Sequence, residues 1–318
     1  MLVNGVWTRS WDPVQSKDAK GRFVRQTSSF RNWVTSDGQP GPTGTGGFRA
    51  EPGRYHLYVA LICPWASRTL MARKLKKLDD VISVTVVEPF LGDQGWAFGT
   101  YPGAGLDPNA GARFVHELYT AADPEYTGRA TVPVLWDKKR KTIVNNESAD
   151  IVRILNTAFD DVADRSIDLY PEALRGEIDA FNSAIYDTLN NGVYKAGFAT
   201  TQAAYNEAVE GVFEALDWIE QRFADGRSFV HGHALTESDL RLFVTLVRFD
   251  AAYHGLFKCN IRSLAEYQNL SRYVHRVTAV PGISETVNID HIKAGYYSIK
   301  ALNPSGIVPA GPSLKLAA

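Results

Sequence analysis

The stretch "YVALICPWASRTLMARKLKKL", residues 58–78, joins an apolar run of strand character to a segment of helical spacing through one Cys63–Pro64 pair. Proline is favoured at the first position of a helix, where its missing N–H has no intrahelical partner to lose. Cys63 therefore reads as the last residue before a helix, with its thiol at the helix mouth. Free backbone N–H groups and the helix dipole stabilise an anion there. A thiol of ordinary pKa ~8.5 falls to roughly 3.5–7.5 in such surroundings and is largely thiolate near neutral pH. A lone cysteine is more often a buried core residue. Strand end, Pro64 and helix start together favour a reactive thiol.

Around it, "YHLYVALI" (55–62) reads as a buried strand, 65–78 as a helix and "VISVTVV" (81–87) as a second strand. A strand–helix–strand unit pairs its strands in parallel. The Gly-rich stretch 88–114 is unusually long for a loop, which marks it as a candidate functional segment. "TVPVLWD" (131–137), the turn "KKRK" and "TIVNN" (142–146) read as an antiparallel hairpin, and "ESADIVRILNTAF" (147–159) as a helix. The order βαβ then ββα predicts a thioredoxin-like α/β domain over residues 51–160.

Beyond residue 160 strand signals fade. Apolar spacing near 3.6 marks helices over 172–191, 201–224, 237–250 and 264–279. These make an all-helical second domain, 161–318, whose Pro/Gly-rich tail "YYSIKALNPSGIVPAGP" (296–312) is expected to be ordered by packing back onto it. Residues 1–50 are rich in Gly, Pro, Ser and Thr, which predicts an irregular extension. It carries Trp7, Trp11, Phe23, Phe30 and Trp33, too many aromatics for a free tail. The extension is expected to lie over the surface of the domain that follows.

The 318 residues hold 34 Lys plus Arg against 35 Asp plus Glu, a net charge of −1. No imbalance points to nucleic acid or to an anionic membrane. The first residues lack the basic-then-apolar pattern of a secretory leader, and no apolar run is long enough to span a bilayer. The two cysteines, Cys63 and Cys259, are far apart in sequence, which excludes a disulfide scaffold and fits a reducing, cytoplasmic setting. His231 and His233 have no further ligand at sensible spacing, so no metal is expected.

Thioredoxin-like redox motifs carry a second cysteine that resolves a mixed disulfide, but here "CPWA" places Ala66 at that position. A mixed disulfide on Cys63 therefore needs an external thiol to clear it. The abundant cytosolic candidate is glutathione. Pro133 in "TVPVLWD" occupies the place where this fold needs a cis proline, leaving the Val132 backbone to pair with a peptide-like ligand; an ordinary edge-strand proline is the bland alternative. Glu147 and Ser148 begin the next helix. Helix capping would account for them. Functionally, Ser148 O–H and the helix N–H groups suit a γ-glutamyl carboxylate, and Glu147 its ammonium. Arg129 and Trp96 could add a cation and a flat wall. Tyr194, in a helical pattern before Gly197, reads from the residues alone as core. Thr236 and Asp239 in "LTESDL" read as a structural capping box.

Taken in order, Cys63, Pro133 and Glu147-Ser148 resemble the glutathione transferase superfamily. The stretches "ICPWASR" (62–68), "GDQGWAFG" (92–99), "NNESADIVRILN" (145–156), "NNGVYKAGFA" (190–199) and the 296–312 tail resemble, more narrowly, its Xi class, the glutathionyl-hydroquinone reductases. The resemblance implies that Cys63 attacks the sulfur of a glutathionyl-hydroquinone, expels the hydroquinone, and is regenerated by a second glutathione. It implies glutathione contacts from Trp96, Arg129, the Val132 backbone, Glu147 and Ser148. It also implies an aromatic-binding role for Tyr194 and for Tyr296, with Tyr297 the alternative to the latter, and a homodimer. Two other readings stand beside it. One is an omega-like thiol transferase or dehydroascorbate reductase. The other is a non-catalytic transferase-like binding module, against which the intact Cys63 and Glu147-Ser148 argue.

Overall fold

Five consecutive buried residues, Tyr55–Val59, form one of the two central strands of a four-stranded sheet. The computed structural model describes residues 1–8 and 17–312, so Trp11 lies outside the described residues. Across the sheet the order is Thr142–Asn145, Val134–Asp137, Tyr55–Val59, Ser83–Val86. Tyr55–Val59 runs parallel to Ser83–Val86, with Tyr58 opposite Thr85, and antiparallel to Val134–Asp137, with Tyr58 opposite Val134. The parallel pair is joined by the Pro64–Leu75 helix, which packs against the Ser148–Thr157 helix. Strands covered on both faces carry near-continuous apolar runs, and this is why "YVALI" and "VLW" lack alternation. The fold is the expected thioredoxin-like one.

The described residues divide into two compact units, one of 1–8 and 26–167, the other of 17–25 and 168–312. The extension is thus split between them, and in the first unit it is built into the sheet. Asn32 N–H donates to the Val144 carbonyl at 3.1 Å and Asn146 N–H to the Phe30 carbonyl at 3.0 Å, with Arg31 bridging Asn145 antiparallel. Trp33–Thr35 then pairs in parallel with Gly47–Arg49. Composition hides this pairing, because edge pairing satisfies backbone groups whatever the side chains are.

Residues 107–112 of the Gly-rich stretch are held by one carboxylate. Asp107, buried, accepts from Tyr58 O–H at 2.6 Å and from the N–H groups of Asn109, Ala110 and Ala112 at 3.0 Å each. Within it, Leu91–Gly92 and Gly95–Trp96 form a short hairpin. Gly95 has φ +74°, and a Cβ there would meet the Trp7 ring at 3.1 Å. Trp7 in turn donates to the Asp93 carbonyl at 2.9 Å and stacks on His116 at 4.5 Å.

The second unit is helical. Its longest element, Gln202–Arg222, buries Val209, Val212, Phe213, Leu216 and Ile219, the side expected from their spacing. Two further features depart from simple periodicity. The expected helix 172–191 is Arg175–Ile185 followed by a π-helical turn, Tyr186–Asn190, and a second π turn, Phe249–Tyr253, ends the Glu237–Arg248 helix. A helix at Ile289–Tyr297, not among the helices expected from spacing, takes in the first two residues of the Pro/Gly-rich tail.

Candidate active site

In the first unit, Cys63 is the N-cap of the Pro64–Leu75 helix, in extended backbone with Pro64 in the first turn. Its thiol is partly exposed and donates to the Val132 carbonyl at 3.6 Å. The Val132–Pro133 peptide bond is cis. Cys63 thus lies beside the backbone of residue 132, with the N-terminal end of a helix dipole behind it. Cys259, in the second unit, is fully buried, and burial pushes its thiol up to about 12. At neutral pH it is a protonated core residue and no nucleophile.

Glu147 is the N-cap of the Ser148–Thr157 helix and Ser148 its first residue. The Glu147 carboxylate accepts from Ala149 N–H at 3.1 Å, from Ser148 O–H at 3.4 Å and from Ser28 O–H at 2.9 Å. The extension therefore reaches the residues at this helix start. Three residues on, Arg31 grips Asp150 through two bonds of 2.5 and 3.0 Å. Sequence reasoning did not single out Ser28 or Arg31. The only trace of them was the aromatic content around Phe30 and Trp33, which argued against a free tail.

Tyr119, also not foreseen, ties these two regions together. Its O–H donates to the Thr131 carbonyl at 2.9 Å and accepts from Thr131 N–H at 3.1 Å and from Asn146 Nδ2–H at 2.9 Å. One buried phenol thereby holds the Thr131 backbone just before Val132-Pro133 and the Asn146 side chain just before Glu147-Ser148. Burial pushes this phenol up to about 12, so it stays a neutral donor and acceptor. Trp96 is half-buried on the short hairpin, and Arg129 is half-buried with its N–H on the Gln26 side chain at 3.1 Å. In this unit, the thiol, the cis peptide and the Glu147-Ser148 helix start share one framework.

In the second unit Tyr194 and Tyr296 come together, their oxygens 2.5 Å apart. Tyr296 is 2% exposed, whereas Tyr297 is half-buried, so Tyr296 is the inward member of the pair. A third phenol, Tyr253, lies 2.9 Å from the Tyr296 oxygen. The π turn Phe249–Tyr253 ends at that residue, a backbone detail that sequence spacing does not reveal. Burial and the two neighbouring phenols push Tyr296 well above its ordinary value, which keeps it protonated. Arg25, from the extension, sits 5.1 Å over the Tyr194 ring and donates to Asn191 at 2.7 Å. Gly197 allows Phe257 to approach, since a Cβ there would lie 2.4 Å from that ring. Tyr194, which residue pattern alone read as core, is half-buried at the edge of this aromatic cluster.

Among the described residues no group of three or more His, Cys, Asp or Glu could hold a metal ion. His231 instead contacts Ser238 at 3.0 Å. Among the same residues no helix is long and apolar enough to cross a membrane.

The family of glutathione S-transferase N-terminal domains matches residues 62–158 and that of the C-terminal domains residues 202–276. The chain is 53% identical to glutathionyl-hydroquinone reductase YqjG of Escherichia coli K12, over 98% of this chain and 94% of that one. It is 50% identical to glutathionyl-hydroquinone reductase PcpF of Sphingobium chlorophenolicum, over 99% and 97%. The glutathione-bound structure of YqjG superposes with a TM-score of 0.90, covering 99% of this chain and 96% of that one. The Xi glutathione transferase of Phanerochaete chrysosporium does so with a TM-score of 0.89 at 48% identity, over 95% and 96%. A fold and an identity level of this kind over nearly the whole length have one family in common: the chain belongs to the glutathione transferases, and within them to the Xi-class glutathionyl-hydroquinone reductases.

Proposed function

We propose that the protein reduces glutathionyl-hydroquinones to hydroquinones at the expense of glutathione. In the first step the Cys63 thiolate attacks the glutathione sulfur of the conjugate. An S–S bond forms, the C–S bond breaks, and its electron pair goes to the ring carbon, which must gain a proton to leave as free hydroquinone. In the second step a glutathione thiolate attacks the mixed disulfide, releasing glutathione disulfide and the Cys63 thiolate. The balance is one conjugate plus one glutathione giving one hydroquinone plus one glutathione disulfide, with no other reductant.

The observation that carries this reading is the Cys63 thiol at a helix N-terminus, 3.6 Å from the Val132 carbonyl and with Ala66 where a resolving cysteine would stand. Glutathione is placed by Trp96, Arg129, the Val132 backbone, Glu147 and Ser148. Tyr194 and Tyr296 serve the aromatic half of the substrate. Phenols suit that role because they exchange hydrogen bonds with ring hydroxyls without adding charge. The working form is a homodimer in the cytoplasm. Cys63→Ser tests the reading: turnover is abolished while glutathione still binds, and an active Cys63→Ser protein refutes it.

A further inference from the structure

The first turn of the Ser148–Thr157 helix carries two carboxylates, Glu147 at the N-cap and Asp150 three residues later. Both are anchored from the extension, Glu147 by Ser28 and Asp150 by Arg31. Asp150 is well shielded, its side chain 10% exposed, and Thr43 O–H at 3.1 Å and Asn145 Nδ2–H at 3.2 Å complete its shell. Arg31 is the cation of this cluster, and its two parallel bonds are the geometry in which an arginine binds a carboxylate most firmly. A helix N-terminus offers roughly half a positive charge to an anion. Two unneutralised carboxylates there would repel an incoming third.

We propose that Arg31 is a specificity-determining positioning residue. By neutralising Asp150 it lets this helix start accept the α-carboxylate of a γ-glutamyl group, while Glu147 keeps its charge for the neighbouring ammonium. The inference rests on the reading of Glu147 and Ser148 as the γ-glutamyl contacts. It goes further in assigning the discrimination to a residue outside the thioredoxin-like domain predicted from sequence. Without Arg31, the Asp150 charge acts on the ligand carboxylate. For charges roughly 6 Å apart at an effective dielectric of about 20–40, the repulsion amounts to a roughly ten- to hundredfold loss of affinity.

The test is calorimetric binding to the full chain of two ligands, glutathione and 4-aminobutyryl-cysteinyl-glycine, which keeps the amino group and lacks the α-carboxylate. The wild type should prefer glutathione. Arg31→Gln should weaken glutathione roughly ten- to hundredfold and leave the analogue within about threefold. Arg31→Lys should lose less. Asp150→Asn alone leaves the arginine charge in place and should not weaken glutathione, and added to Arg31→Gln it should restore most of the lost affinity. Equal weakening of both ligands by Arg31→Gln, or equal damage from Asp150→Asn, would make the pair merely structural and overturn the inference. A wild type that binds both ligands equally would overturn instead the γ-glutamyl reading on which it depends.

Discussion

Asp239 offers a stringent check on how the helical unit is held. It is fully buried and forms a capping box with Thr236 at the start of the Glu237–Arg248 helix. Its carboxylate accepts from Val230 N–H at 2.8 Å, from Thr236 N–H at 2.9 Å, from Thr236 O–H at 3.2 Å and from Tyr273 O–H at 3.1 Å. Asp239→Ala removes this acceptor. The Tyr273 hydroxyl keeps the Asp239 backbone carbonyl at 3.2 Å, but the N–H groups of Val230 and Thr236 lose a buried partner. Each buried orphan donor costs about 1–3 kcal/mol, and relief from burying the carboxylate offsets part of the total. The net loss should be about 3 kcal/mol. In urea, with a slope of about 2 kcal/mol/M, the midpoint should fall by about 1.5 M. Thr236→Val removes only the hydroxyl side of the cap and should cost about 1 kcal/mol. A loss below 1 kcal/mol for Asp239→Ala, or a larger loss for Thr236→Val, would refute the assignment of Asp239 as the hub.

His56, buried between Ser83 and Thr85 side chains at 2.7 and 2.9 Å, is pushed down by burial to about 4, so the folded state binds it neutral. Below the ordinary value of about 6.5 the unfolded chain takes up a proton that the folded one refuses. About 3 kcal/mol of stability, present above pH ~6.5, is therefore lost as pH falls to about 4. His56→Gln should flatten that part of a stability-against-pH curve, and a wild-type curve that His56→Gln leaves unchanged would contradict it. Tyr194→Phe removes one end of the Tyr194–Tyr296–Tyr253 chain. It should reduce turnover of the aromatic conjugate roughly tenfold, the order of one lost hydrogen bond, while leaving reduction of a small disulfide nearly intact. Equal losses on both substrates would remove Tyr194 from the aromatic site.

The parts legible in the sequence are those written into a few adjacent residues. Cys63-Pro64 at a strand end, Pro133 in a β-rich run, Glu147-Ser148 before an apolar helix and the Thr236–Asp239 box each carry a local conformational preference that the fold keeps. What escaped depends on partners distant in sequence. Phe30–Asn32 pairs with residues more than a hundred positions away, and Asp107 organises a loop that composition alone leaves shapeless. Tyr253 reaches Tyr296 from the end of a π turn, which shifts the face that a residue presents away from the 3.6 period. Tyr119 lies on the Val115–Ala122 helix, and its bonds to Thr131 and Asn146 give it a role no pattern shows. Arg31, in a segment rich in turn-forming residues, carried no signal of its pairing with Asp150.

At the centre of the proposed reaction Cys63 takes glutathione from an aromatic conjugate as a mixed disulfide. The direct measurement is intact-mass analysis of the protein after incubation with a glutathionyl-hydroquinone in the absence of free glutathione. One glutathionyl group on Cys63, with one equivalent of free hydroquinone released and reversal on adding glutathione, is the predicted result. A protein that remains unmodified by the conjugate, yet acquires glutathione from a simple mixed disulfide, would contradict the assignment and leave a general thiol transferase in its place.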